Sequence, residues 1–164
     1  MINARAETLA EKPSFKTPFR KNRCLIPADG FYEWKREGKS KIPFYVTMKK
    51  GKIMSLAGIF SDWKDPAGVT IRTFAIVTTP ANSLLAPLHE RMPAIIPREK
   101  RDLWLDPDQQ DPDALAPLLV PYPSVKMEAW EVSRSVNSPA SDSPENIRKT
   151  SGPVSYTHLT LPTK

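Results

Sequence analysis

Arg23-Cys24-Leu25-Ile26-Pro27-Ala28-Asp29-Gly30-Phe31-Tyr32-Glu33-Trp34 sets the pattern for the rest of the chain. Cys24 to Ala28 is a short apolar run, and Asp29-Gly30 is a turn or bulge signal. Phe31 to Trp34 is aromatic and strand-forming, with one carboxylate set inside it. Side chains alternate along a strand, so Phe31, Glu33 and Lys35 share one face and Tyr32 and Trp34 the other. Glu33 is then held among aromatics on a rigid element just after a glycine, a place suited to a carboxylate that transfers protons. The same residues also read as an edge strand carrying Glu33 and Lys35 as a solvated pair. The stretch alone leaves both readings open.

Downstream, residues 36–41 with Gly38 read as a hairpin loop. Residues 42–48 and 53–63 read as strands joined by Lys49-Lys50-Gly51-Lys52, and residues 65–68 as a turn. Thr73-Phe74-Ala75-Ile76-Val77-Thr78-Thr79 is the candidate for a buried central strand. The middle of the chain is therefore expected to be an antiparallel meander. Residues 80–88 suggest a short helix, with Thr79 as cap and Pro80 at its first position. Residues 94–97 suggest a short apolar strand, 98–105 and 111–119 helices, 126–136 a late strand, and 137–146 a loop.

Upstream, Asn3, Arg5 and Glu7 fall at alternate positions and would line one face of a strand. That face suits a phosphate-bearing ligand, with Arg5 as the anion contact, but the spacing fits a plain extended segment equally well. In residues 11–22, Phe15 and Phe19 are spaced to pack one face of a short helix, which Pro13 and Pro18 should limit. Lys12, Lys16, Arg20, Lys21 and Arg23 make this the most basic region, either a phosphate-tracking patch or a solubilising face.

The chain has 164 residues, enough for one domain with a real core. Its 18 prolines are about twice the usual usage of roughly 5% and favour short strands and fixed turns over long helices. The net charge of +6 permits a polyanionic partner. One cysteine excludes an internal disulfide, and one cysteine with two histidines does not make a structural zinc site. No apolar run approaches a membrane span, and no signal-peptide core opens the chain, which reads as intracellular. His89 is the only histidine ahead of the tail. At the end of the expected helix it could serve as a general acid or merely pack. There is no Gly-x-Ser-x-Gly, phosphate loop or dinucleotide fingerprint.

Five motifs in order carry a family resemblance. They are Asn3-Ala4-Arg5-Ala6-Glu7-Thr8, residues 23–28 with Gly30-Phe31-Tyr32-Glu33-Trp34, Ala57-Gly58-Ile59-Phe60, Thr78-Thr79-Pro80-Ala81-Asn82, and His89-Glu90-Arg91-Met92-Pro93. Together they resemble the SOS response-associated peptidase (SRAP) family, over about residues 3–145. The resemblance implies an α+β fold, mainly antiparallel β and barrel-like with short flanking helices. It implies a domain over residues 1–148 whose N-terminal part is missing, followed by a non-native or disordered tail, 149–164.

It also implies a function. Proteins of the family sense abasic sites in single-stranded DNA and cross-link to them through an N-terminal cysteine. The amine forms a Schiff base with the ring-opened sugar and the thiol then closes a thiazolidine. On this chain Glu33 would move protons at the amine and imine, and His89 would protonate the sugar ring oxygen. Asn3 would hold the amine, and Arg5, Arg91, Thr78 and Thr79 would contact the DNA. The resemblance implies no cofactor, no metal and no membrane, a monomer when full-length, and a cytoplasmic, nucleoid-associated location. Residue 2 is Ile rather than Cys, so the chain as written is expected to form no thiazolidine. Cys24 reads as a buried, inert thiol. A thiol peptidase releasing its own initiator methionine and a plain single-strand DNA binder are the rival readings.

Overall fold

The computed structural model describes residues 2–150; of the segment 149–164 read as a non-native or disordered tail, residues 151–164 lie outside them. Among the described residues eight strands are formed: β1 (Asn3–Arg5), β2 (Arg23–Ala28), β3 (Gly30–Glu37), β4 (Ser40–Met48), β5 (Met54–Lys64), β6 (Thr70–Pro80), β7 (Arg91–Pro93) and β8 (Met127–Glu131). Three short α-helices accompany them: α1 (Pro13–Lys21), α2 (Arg101–Leu105) and α3 (Pro112–Leu115). The fold is α+β and mostly antiparallel, as expected.

The strands divide into two sheets. One has the order β1-β6-β5-β2 with β7 added on β6, and the other has the order β3-β4-β8. No hydrogen-bonded ring closes a barrel among the described residues. The only parallel ladder among them is β1 on β6, which sets Arg5 beside Thr78. In place of a simple meander, β2 pairs with β5 around the β3–β4 hairpin.

The chain passes from one sheet to the other at Asp29-Gly30. Gly30 is needed there because a Cβ would lie 2.3 Å from Tyr45 Cζ and 2.6 Å from the Val46 carbonyl oxygen. The Thr47 hydroxyl donates to the Asp29 carbonyl at 2.6 Å and holds the crossing. The return crossing is the Lys49–Gly51 turn.

Two cores result from strand alternation. Met54 and Leu56 of β5 face the three-stranded sheet and pack with Val46, Met48, Met92 and Met127. Ala57 and Ile59 face the helices and pack with Phe15, Phe19 and Trp104.

Arg23, expected in a basic patch, is buried. Its guanidinium donates to the carbonyls of Trp104 (2.6 Å), Phe19 (2.9 Å), Asp106 (2.5 Å), Gln109 (2.8 Å) and Arg20. It ties α1 and the α2 end to β2, and it is no phosphate contact.

Other elements differ from expectation in instructive ways. Pro18 lies inside α1 and is buried, so packing of Phe15, Pro18 and Phe19 outweighs its lost hydrogen bond. Residues 83–88 form turns instead of a helix, because the Asn82 side chain caps Leu84 and Leu85 at 3.1 Å each and the chain then turns into β7. Residues 94–97 make only an isolated bridge, Leu56 to Ile95. The expected helices at 98–105 and 111–119 each split into an α and a 3-10 turn, the second capped by Asp111.

Candidate functional site

The β3 ladder confirms the expected alternation of residues 31–35. Phe31 turns toward the inter-sheet core, and Glu33 follows it on the same side. Tyr32 and Trp34 occupy the opposite face in an aromatic row with Tyr45 and Trp130, with ring centroids 6.3, 5.5 and 5.4 Å apart in succession. β3 is an edge strand, yet Glu33 and Lys35 are no pair, since Lys35 binds Glu37. Glu33 is half-buried and accepts the Trp34 backbone N–H at 3.2 Å.

Glu33 and His89, far apart in sequence, line one cleft of about 580 Å³. Arg36 and Lys41, cross-strand partners in the β3–β4 hairpin, supply positive charge to it. Its remaining wall is Trp34 with Val136, Asn137 and Pro139 of the loop after β8. The Trp34 indole N–H donates to Asn137 Oδ1 at 2.7 Å, which fastens that loop to β3. Asn146 is buried and holds the same loop from behind. Its amide donates to the Ser141 carbonyl at 2.6 Å, and its Oδ1 accepts the Ser135 and Ser141 hydroxyls at 3.2 and 2.9 Å.

His89 is exposed and follows turns, so the expected helix-end dipole is absent. Its Nδ1 lies 3.1 Å from the Arg91 backbone nitrogen and 3.2 Å from the Arg91 carbonyl oxygen. That contact joins His89 to a second set of polar groups. Arg91 donates through both terminal nitrogens to Glu7, at 2.6 and 2.9 Å, and also to the Thr78 carbonyl at 2.6 Å. Glu7 is not on the β1 face expected for it. The strand ends at Arg5, and the following 3-10 turn swings Glu7 toward Arg91. The Arg91 hydrogen bonds hold its carboxyl below the usual carboxylate range.

Asn3 and Arg5 are exposed on one face of β1, while Ala4 between them is buried. Arg5 lies against Thr78 in register. Thr79 points the other way: it is fully buried, and its hydroxyl donates to the Pro80 carbonyl at 3.1 Å. The structure therefore gathers Glu33 with His89, and Arg91 with Thr78 and Arg5, while Thr79 belongs to the interior. Cys24 is half-buried on β2, and burial pushes its thiol up, which disfavours the thiolate.

Sequence reading missed Glu7 as the partner of Arg91, and Arg36, Lys41 and Asn137 as cleft walls. The hairpin register could have supplied Arg36 and Lys41. No local pattern points to Asn137.

A family model described as SOS response associated peptidase (SRAP) matches residues 1–139, and the chain belongs to that family. It is 49% identical over 148 residues to the abasic site processing protein YoqW of Bacillus subtilis (strain 168), covering 90% of this chain and 66% of that one. It is 31% identical over 164 residues to the abasic site processing protein HMCES of Gallus gallus, covering 87% of this chain and 48% of that one. Among solved structures, a protein from Bacteroides thetaiotaomicron superposes with a TM-score of 0.84 at 38% identity, over 90% of this chain and 65% of that one. One from Bordetella bronchiseptica gives 0.73 at 27% identity, over 80% and 64%. The chain thus spans just under two thirds of the length of YoqW and less of HMCES. No helix among the described residues is long and apolar enough to cross a membrane.

Proposed function

We propose that this chain processes abasic sites in single-stranded DNA, with the Glu33–His89 cleft receiving the baseless sugar. The observation that carries the reading is the convergence of a carboxylate and an imidazole on one cleft with a cationic rim. The names of its relatives point the same way. His89 protonates the ring oxygen as the sugar opens to its aldehyde. Glu33 takes a proton from the attacking amine and returns it as water leaves the carbinolamine. Arg5 and Thr78 contact phosphate beside the lesion, and Arg91 joins them when its fork is released from Glu7. Asn3, on the same exposed face as Arg5, hydrogen-bonds the amine.

The covalent step in this reading belongs to an N-terminal cysteine, whose amine condenses with the aldehyde and whose thiol adds to the imine. Cys24 is not that nucleophile, because it sits within β2 and its backbone nitrogen is part of a peptide bond.

A denaturing gel tests the proposal. A family N-terminal segment beginning Met-Cys is joined ahead of Ile2, and the protein is mixed with single-stranded DNA carrying one abasic site. A heat-stable adduct on abasic DNA only, formed more slowly by Glu33→Gln, is expected. The 164-residue chain alone is expected to give none. Equal binding of intact and abasic DNA without an adduct would reduce the protein to a plain single-strand binder. Hydrolysis of test peptides without an adduct would favour the peptidase.

A further inference from the structure

A second cleft, of about 830 Å³, opens between the β4–β5 turn and the segments 95–101 and 122–126. It is separate from the first. Lys41 near the start of β4 lines the Glu33–His89 cleft and Met48 at its end lines this one, about 23 Å along the strand. Six cations line it, Lys49, Lys50, Lys52, Arg98, Arg101 and Lys126, against one carboxylate, Glu99. None of the six joins any ion pair found among the described residues. Arg101 Nε is buried with no hydrogen-bond partner. Lys50 is the one non-glycine residue among those described with a positive φ, 65°, so the turn carrying Lys49 and Lys50 holds a left-handed conformation at a lysine. Between the cations the lining includes the aliphatic side chains of Ile53, Ile95, Ile96 and Val125. Ile53 is 53% and Val125 74% exposed, beside the buried Ile95.

We propose that this cleft docks an acidic protein segment carrying an apolar anchor residue. Unpaired like charges concentrated in a concave site favour a polyanion. The lining decides which kind. A single-stranded nucleic acid uses aromatic faces to stack its bases, and the one aromatic ring here, Tyr122, is 8% exposed. Aliphatic surface left open among cations instead matches a leucine-, isoleucine- or phenylalanine-bearing peptide flanked by carboxylates. Arg98 and Arg101 offer the forked geometry that carboxylates accept, with the lysines as point charges around them. The proposal stands independently of the chemistry at the other cleft.

Fluorescence anisotropy with a fluorescein-labelled decapeptide of alternating Asp and Leu tests this. An Asp–Ser peptide, a Lys–Leu peptide and a labelled oligothymidine serve as comparisons. The Asp–Leu peptide is expected to bind best of the three peptides. Its affinity should fall about tenfold in Lys49→Glu/Arg98→Glu, the equivalent of about 1.4 kcal/mol, and severalfold in Ile53→Ser. Thermal melts check that the variants fold, and Lys52→Glu/Lys126→Glu repeats the test should the first pair misfold. Equal binding of Asp–Ser, no binding of Asp–Leu, or binding indifferent to these substitutions would overturn the proposal. So would an oligothymidine that loses affinity in the charge variants while the peptide does not, since that would make the cleft a nucleic-acid groove.

Discussion

Arg91 and Glu7 face each other as a two-point fork, with Nη1 to Oε1 at 2.6 Å and Nη2 to Oε2 at 2.9 Å. The same Nη2 also reaches the Thr78 carbonyl at 2.6 Å. The guanidinium that the resemblance assigns to phosphate is therefore already occupied by a carboxylate of similar geometry. Any phosphate at Arg91 has to displace Glu7 or share the fork with it. We expect Glu7→Gln to bind single-stranded DNA several-fold more tightly than the unaltered chain, as read by anisotropy at fixed salt. A weaker complex would mean that Glu7 is needed to orient Arg91.

The same pair has a pH signature. The bond from Arg91 lowers the Glu7 pKa in the folded protein from the ordinary value of 4.5. Its stabilisation is present above that ordinary value and is lost as pH falls through the depressed one. Glu7 is half exposed, so the effect is below about 1 kcal/mol. Urea melts of the unaltered chain and Glu7→Gln should differ at pH 7 and converge as pH falls well below the ordinary carboxylate value.

Arg23 satisfies five backbone carbonyls, two in the last turn of α1, one in α2 and two just beyond it. A lysine has three donors and no fork. Arg23→Lys is expected to cost about 3 kcal/mol in urea unfolding, from carbonyls left unsatisfied in the interior. A loss below about 1 kcal/mol would show that water takes the place of the guanidinium.

At Gly30 the crossing between sheets has no room for a methyl group. Gly30→Ala should destabilise by about 2 kcal/mol or more and alter the near-ultraviolet signal of the Tyr32–Tyr45–Trp130 row. Tyr45 offers an independent probe of the same place. Burial, and then the neighbouring Asp29 charge, push its phenol up to about 12 from an ordinary 10.0. The unfolded chain ionises first, so stability should fall as pH rises between those values. Tyr45→Phe should lack that part of the alkaline loss.

The Trp34–Asn137 bond makes the loop after β8 a wall of the Glu33–His89 cleft. Trp34→Phe keeps an aromatic ring but removes the donor. Faster amide exchange in residues 134–139 is expected, with a stability change near 1 kcal/mol. Slower adduct formation by the Met-Cys protein should accompany it if the wall orders the sugar.

Local pattern was legible where the physics is local. The alternation of residues 31–34, the break at Asp29-Gly30 and the burial of Phe15 and Phe19 all follow from periods of 2 and 3.6 or from the local preferences of one dipeptide. The helix expected over residues 80–88 failed for a related reason. Pro80 and Thr79 suit a helix start, but both extend β6, whose pairing with β7 draws them into the sheet, and Asn82 caps a turn instead.

By itself, then, the sequence determined that this is a mainly antiparallel α+β protein of the SRAP family, with Glu33 on the same strand face as Phe31. Tertiary structure alone decided that Arg23 is an interior staple, that Thr79 is buried on the face opposite half-buried Thr78, that Glu7 occupies Arg91, and that His89 and Glu33 line one cleft walled by Asn137. Each of those depends on which distant segments pack together. That choice is made by the summed burial and hydrogen bonding of the whole chain, and no window of neighbouring residues contains it.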